Sequence, residues 1–383
     1  MELSLYFDNT SVVEMIEESS EHTFGKNVVC ISDDIIPTDV DVVILGVPED
    51  RNSLVSGSAD GPALVREELY KLRRINGFEI ADLGDLKIGK TVDDTYVALS
   101  EIIAYLNSLE ITTVLMGGSQ DLILAVLDGI GRNKKDQQIK FINIDSTLDI
   151  KDNSPNAIGT HNFLTRAYRE KTVDVANVGY QKQLCLTEKY VRNKIENLSL
   201  GSLRDDFMLD AEPIIRESDV VGIDMGVLKA ADFMAVEKPN SNGLCSEELC
   251  KLMVFSGVSA SVSCVGLFNY LPKYDSRNVS SFVLAQAIWY FCESYMFRVN
   301  EHPENEEDLF KKYIVSIDDA DIVSTFYQSE ITGRFWFEVL DDLNGDATWD
   351  EHKYMPCTDF DFEEANKGNI TSRIFYYMTK GVE

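Results

Sequence analysis

The sequence predicts an α/β fold with a central parallel sheet flanked by helices, followed by a small C-terminal α+β extension. Three observations carry this. Short, β-branched, unbroken apolar runs such as Asp41–Val47, Thr112–Met116 and Ile139–Ile144 recur along the chain; continuous apolar strands of this kind are buried on both faces. Stretches of helical period separate them, as the crossover between two parallel strands requires. From about Asn300 the texture changes: His302–Asp308 is polar and acidic, and short strand-like runs follow it. The expected division is residues 1–299 for the α/β domain and 300–383 for an extension packed on it.

In chain order, the strand Asp41–Val47 precedes a helical pattern over Ala63–Ile75. A helix is expected over Tyr96–Leu109, then a strand over Thr112–Met116 that ends in Gly117-Gly118. Leu122–Ile130 reads as a helix, Ile139–Ile144 as a strand, Phe163–Glu170 as a helix and Val173–Val178 as a strand. Helical stretches near Glu188–Ile195 and Asp210–Arg216 lead into the strand Asp219–Ile223. Ser246–Ser256 is a helix with Ser246 as its expected N-cap, ahead of Glu247 and Glu248, whose charges suit a helix start. Ser261–Phe268 is a strand and Ser280–Phe297 a long helix. In the extension, Tyr313–Ile317, Ser324–Tyr327 and Arg334–Val339 read as strands. Asp341–Asp346 is acidic and turn-rich, but lacks the spacing and terminal glutamate of a calcium-binding loop.

Charge removes several classes of function. With 65 acidic and 35 basic residues the net charge is −30, which argues against a phosphate-backbone partner and against an anionic membrane surface. No nucleic acid and no membrane is therefore expected as a partner. The seven cysteines are scattered and form no CxxC pair, so neither a disulfide framework nor a zinc knuckle is expected. No stretch approaches the ~18 apolar residues of a membrane span, and no leader pattern opens the chain; the expectation is a cytoplasmic protein.

In an open parallel sheet, ligands collect at the C-terminal ends of strands. Three polar clusters fall at such ends: Gly117-Gly118-Ser119-Gln120-Asp121, Asp145-Ser146-Thr147-Leu148-Asp149, and Asp224-Met225-Gly226. One aspartate after a strand is more often a cap or turn residue than a ligand. Three clusters at equivalent strand ends shift the balance towards a site. Of the four histidines, His161 follows the second cluster and is the candidate to line the crevice, whereas His22, His302 and His352 sit in polar contexts and read as surface residues. No nucleophile elbow or phosphate-binding loop is present, and Cys245 and Cys250 have no histidine nearby; no confident catalytic residue emerges.

The order of these motifs resembles the ureohydrolase (arginase–agmatinase–formiminoglutamase) superfamily. Leu45-Gly46-Val47-Pro48 with Gly61-Pro62-Ala63-Leu64-Val65-Arg66 resembles its N-terminal signature, and Asp82-Leu83-Gly84-Asp85 its DLGD segment. Met116–Asp121 stands where the family has GGDH or GGSH, Asp145–Asp149 where it has DAHxD, and Asp224-Met225-Gly226 where it has DxD. The tail, with Gly333–Glu338, resembles formiminoglutamase-like proteins of Bacteroidetes type. The resemblance implies a three-layer arginase-like fold and assembly into homo-oligomers.

In that family two Mn²⁺ ions share two histidines and four aspartates and activate a bridging hydroxide. Carried over by position, Asp145 and Asp224 match the bridging carboxylates and Asp149 a ligand of the first metal. The histidine positions hold Gln120 and Thr147, the fourth aspartate position holds Gly226, and a substrate-gripping glutamate is replaced by Asn269. What this implies is a vestigial site of Asp145, Asp149, Asp224 and Gln120. It would take at most one weakly bound divalent cation (Mg, Ca or Mn), an all-oxygen set suiting hard ions, with no resident cofactor.

Two like charges ~4 Å apart repel by roughly 4 kcal/mol at an effective dielectric near 20, so a cation, a proton or a basic side chain must relieve the cluster. Lys151, Arg66 and Lys229 are the candidate side chains. The expected function is a non-catalytic binding or assembly protein, with a protein partner, a second copy, or a small ligand in the crevice. The aromatic Phe326, Tyr327, Phe335, Trp336, Phe337 and Tyr354 of the tail are one candidate interaction surface, or else core. The alternative is a metal-dependent C–N hydrolase of formiminoglutamate or guanidino-type substrates.

Overall fold

The computed structural model describes residues 1–31, 36, 40–134, 137–150, 158–170, 172–185, 196–204, 208–305, 307–317, 322–339 and 354–379. The expected helical stretch near Glu188–Ile195, the acidic stretch 341–346, Lys151 and His352 lie outside the described residues.

The main sheet is assembled from β1 (Phe7–Asp8), β2 (Val28–Cys30), β3 (Val42–Val47), β4 (Ile80–Leu86), β5 (Thr112–Gly117), β6 (Ile139–Ile144), β7 (Val173–Tyr180), β8 (Leu198–Ser199), β9 (Val220–Asp224) and β10 (Cys264–Phe268). Its order is β1-β4-β3-β5-β10-β9-β6-β7-β8, with β2 also on β4. Only β1 runs antiparallel to its neighbour. β1 and β2 share the outer edge of β4, pairing with Asp85–Leu86 and Ile80–Asp82 respectively. The fold is thus the expected parallel α/β arrangement.

Alternation along each strand divides the core in two. Val42 and Ile44 point to one face, where α2 (Gly61–Leu69), α8 (Ser246–Val258) and α9 (Val279–Tyr295) supply Val65, Leu252 and Phe291. Val43, Leu45 and Val47 point to the other, against α3 (Val92–Ser108), α4 (Ile123–Asn133) and α5 (Phe163–Ala167), which supply Ile102, Val126 and Phe163. Each fully buried aliphatic side chain contributes ~1.5–3 kcal/mol, so both helical layers are held chiefly by these stripes.

The remaining helices are α1 (Thr10–Glu18), α6 (Leu200–Arg204) and α7 (Ala211–Arg216). α2 ends at Leu69, short of the expected Ile75, because the chain turns to pair with an earlier segment: Phe24 N donates to Leu72 O (2.7 Å) and Arg74 N to His22 O (2.9 Å). α3 begins at Val92, where Thr91 and Asp94 form a capping box. The N-cap of α8 is Cys245, not Ser246; Ser246 lies inside the helix and donates from its backbone N to Asp232 Oδ2 (2.8 Å).

The chain ends in an antiparallel sheet of β11 (Phe310–Ile317), β12 (Ile322–Ser329), β13 (Phe335–Glu338) and β14 (Tyr354–Cys357), with α10 (Asp359–Asn366) and α11 (Ser372–Thr379). Phe326, Tyr327, Phe335, Trp336 and Phe337 are buried within it, so these aromatics are core and not an exposed surface. His302, expected at the surface, is half-buried with its ring edge-on to Tyr354. The sheet meets the main domain at α7, where the Arg216 guanidinium lies 4.4 Å from the Trp336 ring centroid and donates to Phe335 O (2.9 Å).

Candidate functional site

Four adjacent strands, β5, β10, β9 and β6, end on the same side of the sheet. Their C-terminal ends deliver the Gly117–Gln120 turn, Asn269, Asp224 and Asp145 to one place. Gly118 permits the close approach that this convergence needs, since a Cβ there would stand 2.1 Å from Glu49 O. The strand ends open into a crevice of about 600 Å³ lined by Asp145, Thr147, Asp149, His161, Asp224 and Asn269, among others. His161, Asp145, Asp149 and Asp224 thus share one cavity. A groove of about 610 Å³ between α3, α4 and α5 carries none of the strand-end carboxylates.

The chain's own donors engage the two central carboxylates. Asp145 Oδ1 accepts from Thr147 N (3.1 Å) and Asp145 Oδ2 from Thr147 Oγ1 (3.2 Å). Asp224 Oδ1 accepts from Gly226 N, and Asp224 Oδ2 from Asn269 Nδ2. Asn269 is held in the left-handed region (φ 64°), which asparagine tolerates better than most residues. Its other amide atom, Oδ1, accepts from Gln120 N (3.3 Å). Thr147 Oγ1 also lies 3.4 Å from Asp149 Oδ1.

Burial, together with the charges of Asp224 and Asp149, pushes the Asp145 carboxyl well above the usual carboxylate range. Asp224 is raised as well: burial outweighs the bonds from Asn269 and Gly226 that favour its charged form. Neither Asp145 nor Asp224 has an ion pair with a described residue. Two side chains expected to relieve the cluster are spent elsewhere. Arg66 is fully buried against Asp82 (2.8 Å) and Asp85 (2.5 Å), and those carboxylates hold it protonated although burial opposes its charge. Lys229 faces Asp232 at 3.5 Å.

Gln120 is fully buried; its Nε2 donates to Asn143 Oδ1 (3.0 Å), while its Oε1 has no hydrogen-bond partner among the described residues. The donors that line the crevice are the carboxylates of Asp145, Asp149 and Asp224, the Thr147 hydroxyl and the His161 imidazole, whereas the buried Gln120 amide is not part of the lining. Among the described residues no three His, Cys, Asp or Glu side chains are grouped as a metal cage. Three carboxylates and one imidazole are fewer ligands than the two histidines and four aspartates that the resemblance implies for a pair of Mn²⁺ ions, and the set does not fit such a pair.

Sequence reasoning missed the opposite wall. The Glu49–Ser58 loop supplies Ser53, Leu54, Val55 and Ser58 to the crevice. It is pinned by Asn52 Nδ2 to Asp121 Oδ2 (2.9 Å), Gly57 N to Asp50 Oδ2 (2.6 Å) and Thr95 Oγ1 to Glu49 Oε2 (2.9 Å). Glu237 and Lys238, in the polar loop between β9 and α8, were missed too; the signal was their place after a strand end, just before the turn-rich Pro239-Asn240-Ser241-Asn242-Gly243.

The arginase family model matches residues 40–293, more than half of the chain. The chain belongs to the arginase family. Within it, the formimidoylglutamase of Photorhabdus laumondii is 23% identical over 253 residues, covering 62% of this chain and 80% of the relative. That of Macrococcus caseolyticus is 27% identical over 160 residues, covering 40% and 47%. Among solved structures, Trypanosoma cruzi formiminoglutamase with Mn²⁺ superposes with a TM-score of 0.63 at 20% identity, covering 68% of this chain and 95% of that one. Bacillus subtilis formimidoylglutamase gives 0.62 at 15%, covering 71% and 92%. At these identities the structural likeness shows the arginase-family fold. Among the described residues no helix is long and apolar enough to cross a membrane.

Proposed function

We propose that this arginase-family chain is a non-catalytic binding protein whose crevice no longer builds the dinuclear centre of a C–N hydrolase. The observation that carries this reading is the engagement of both oxygens of Asp145 and of Asp224 by Thr147, Gly226 and Asn269. Donors from the chain take one acceptor site on each of these oxygens and so weaken, without closing, the positions from which bridging carboxylates would hold metal. Thr147 and Gln120 supply neutral oxygen where the family resemblance places imidazole, and Gly226 supplies no side chain. Asp145, Asp149, Asp224 and Gln120 are then a remnant that takes one hard cation weakly at most, and the selected role is binding of a small ligand or a partner, including a second copy.

Elemental analysis of protein purified without chelator, then equilibrated with Mn²⁺ and dialysed, tests this. One equivalent or fewer, removed by dialysis, is expected. Two retained equivalents of Mn per chain would overturn the reading and favour a metal-dependent hydrolase of formiminoglutamate or guanidino-type compounds, the activity class named by the relatives.

A further inference from the structure

Resting on the non-catalytic reading, we infer that the crevice binds a primary alkylammonium, whose charge takes the place a metal would fill. Asp145, buried, and Asp224, half-buried, are neighbouring carboxylates at adjacent strand ends, and neither is ion-paired with a described residue. An acidic pair alone would be a weak argument, but a second, independent feature points to a ligand. Ser58 lines the same crevice, is 1% exposed, and its Oγ has no hydrogen-bond partner among the described residues. A buried hydroxyl left unsatisfied is destabilising, and a ligand N–H donor would satisfy it.

The hydrogen bonding selects the kind of cation. A guanidinium or amidinium is planar and is held best by a carboxylate with both oxygens free to receive its fork. Here each oxygen of Asp145 and Asp224 already receives one bond from the chain, leaving one lone pair per oxygen, at separate angles. An ammonium is a compact charge with three rotatable donors, suited to single lone pairs from two carboxylates and the Ser58 hydroxyl. Leu148, Val236 and Leu271 line the rest of the cavity and would cover a short alkyl chain. At the rim Lys238 faces Glu237 at 3.6 Å with 85% of its side chain exposed, so its charge is offset before it reaches the aspartates.

Isothermal titration of the full chain with n-butylammonium, n-butylguanidinium and MnCl₂ tests the inference. Butylammonium is expected to bind at least ~10-fold more tightly than butylguanidinium, one tenfold step being a factor of ten in Kd. Asp224→Asn should weaken it by ~10-fold or more and Ser58→Ala by ~3-fold or more, on the same scale. Thermal melts check that each variant folds; if Asp224→Asn does not, Ser58→Ala and Asp149→Asn carry the test. Equal or stronger butylguanidinium binding, binding indifferent to the variants, or no butylammonium binding would each overturn the inference. If butylammonium fails and Mn²⁺ also fails to be retained, the non-catalytic reading stands and only the ligand class is wrong. Two retained Mn²⁺ would remove both.

Discussion

Asp145 lies buried beside Asp224 and Asp149, and among the described residues Thr147 alone donates to it. Its ionised form suffers both loss of water and repulsion from its neighbours. Asp145→Asn would remove both effects while keeping the contacts: the amide Oδ1 still accepts from Thr147 N, and the Thr147 hydroxyl can turn to accept from the new NH₂. The variant should therefore melt ~1–2 °C higher than the parent in calorimetry at pH 8, the shift that about 1–1.5 kcal/mol produces in a chain of this length. A lower melting temperature would mean that the carboxylate is neutralised by a cation in the folded protein. Residue identity made this cluster legible, because Asp145 and Asp149 follow one apolar run and Asp224 another. The Asn269 bridge between Asp224 and the Gln120 backbone was not legible, since it depends on a left-handed backbone that sequence does not announce. The same limit hid β4, whose Asp82, Gly84 and Asp85 look like loop residues until Arg66 is found buried against them.

At the scale of elements, α7 joins the two sheets through a buried charge network. Glu212 accepts from Arg216, its neighbour one turn on, and lies 3.2 Å from Arg334; Arg373 adds its charge from α11. Burial alone would raise the Glu212 carboxyl, but Arg216, Arg334 and Arg373 outweigh it and hold the group below its ordinary range. A depressed folded value means that the stabilisation is fully present above the unfolded value, about 4.3, and is lost as pH falls through the folded one. Glu212→Gln leaves buried Arg216 without its counter-charge and Arg334 with only Glu301, and should cost ~2–4 kcal/mol at pH 7 in urea unfolding. The difference between parent and variant should shrink towards zero as the pH is taken below 4. A difference that stays constant into acid would show that Glu212 acts through shape and not charge. Element boundaries followed local chemistry where it was read: Thr91 and Asp94 mark the start of α3, and Cys245 caps α8 by the same device. The end of α2 was illegible because pairing with residues 22–25 is a tertiary effect.

For the whole molecule, parallel strands announced the main sheet, but not its order. That β10 and β9 lie between β5 and β6 is what gathers four strand ends into one crevice, and nothing local encodes it. The C-terminal unit was read only in part, as β14, α10 and α11 are short and weakly patterned. Its apolar cluster of Phe326, Phe337, Cys357 and Ile374 is separate from the two clusters of the main sheet. Much of what joins them is polar, through Arg216, Arg334 and Arg373. A unit with its own core and a polar seam should open before the rest. Hydrogen exchange at pH 7 should therefore give the amides of β12 and β13 an opening free energy at least ~2 kcal/mol below those of β5, β9 and β10. Equal values would make both sheets one cooperative unit. Adding n-butylammonium extends the test, because a ligand stabilises only the states that retain its site. A crevice ligand is bound both before and after the C-terminal sheet opens, so β9 and β10 should gain protection while β12 and β13 gain none. Protection confined to β12 and β13 would instead place the ligand at the seam.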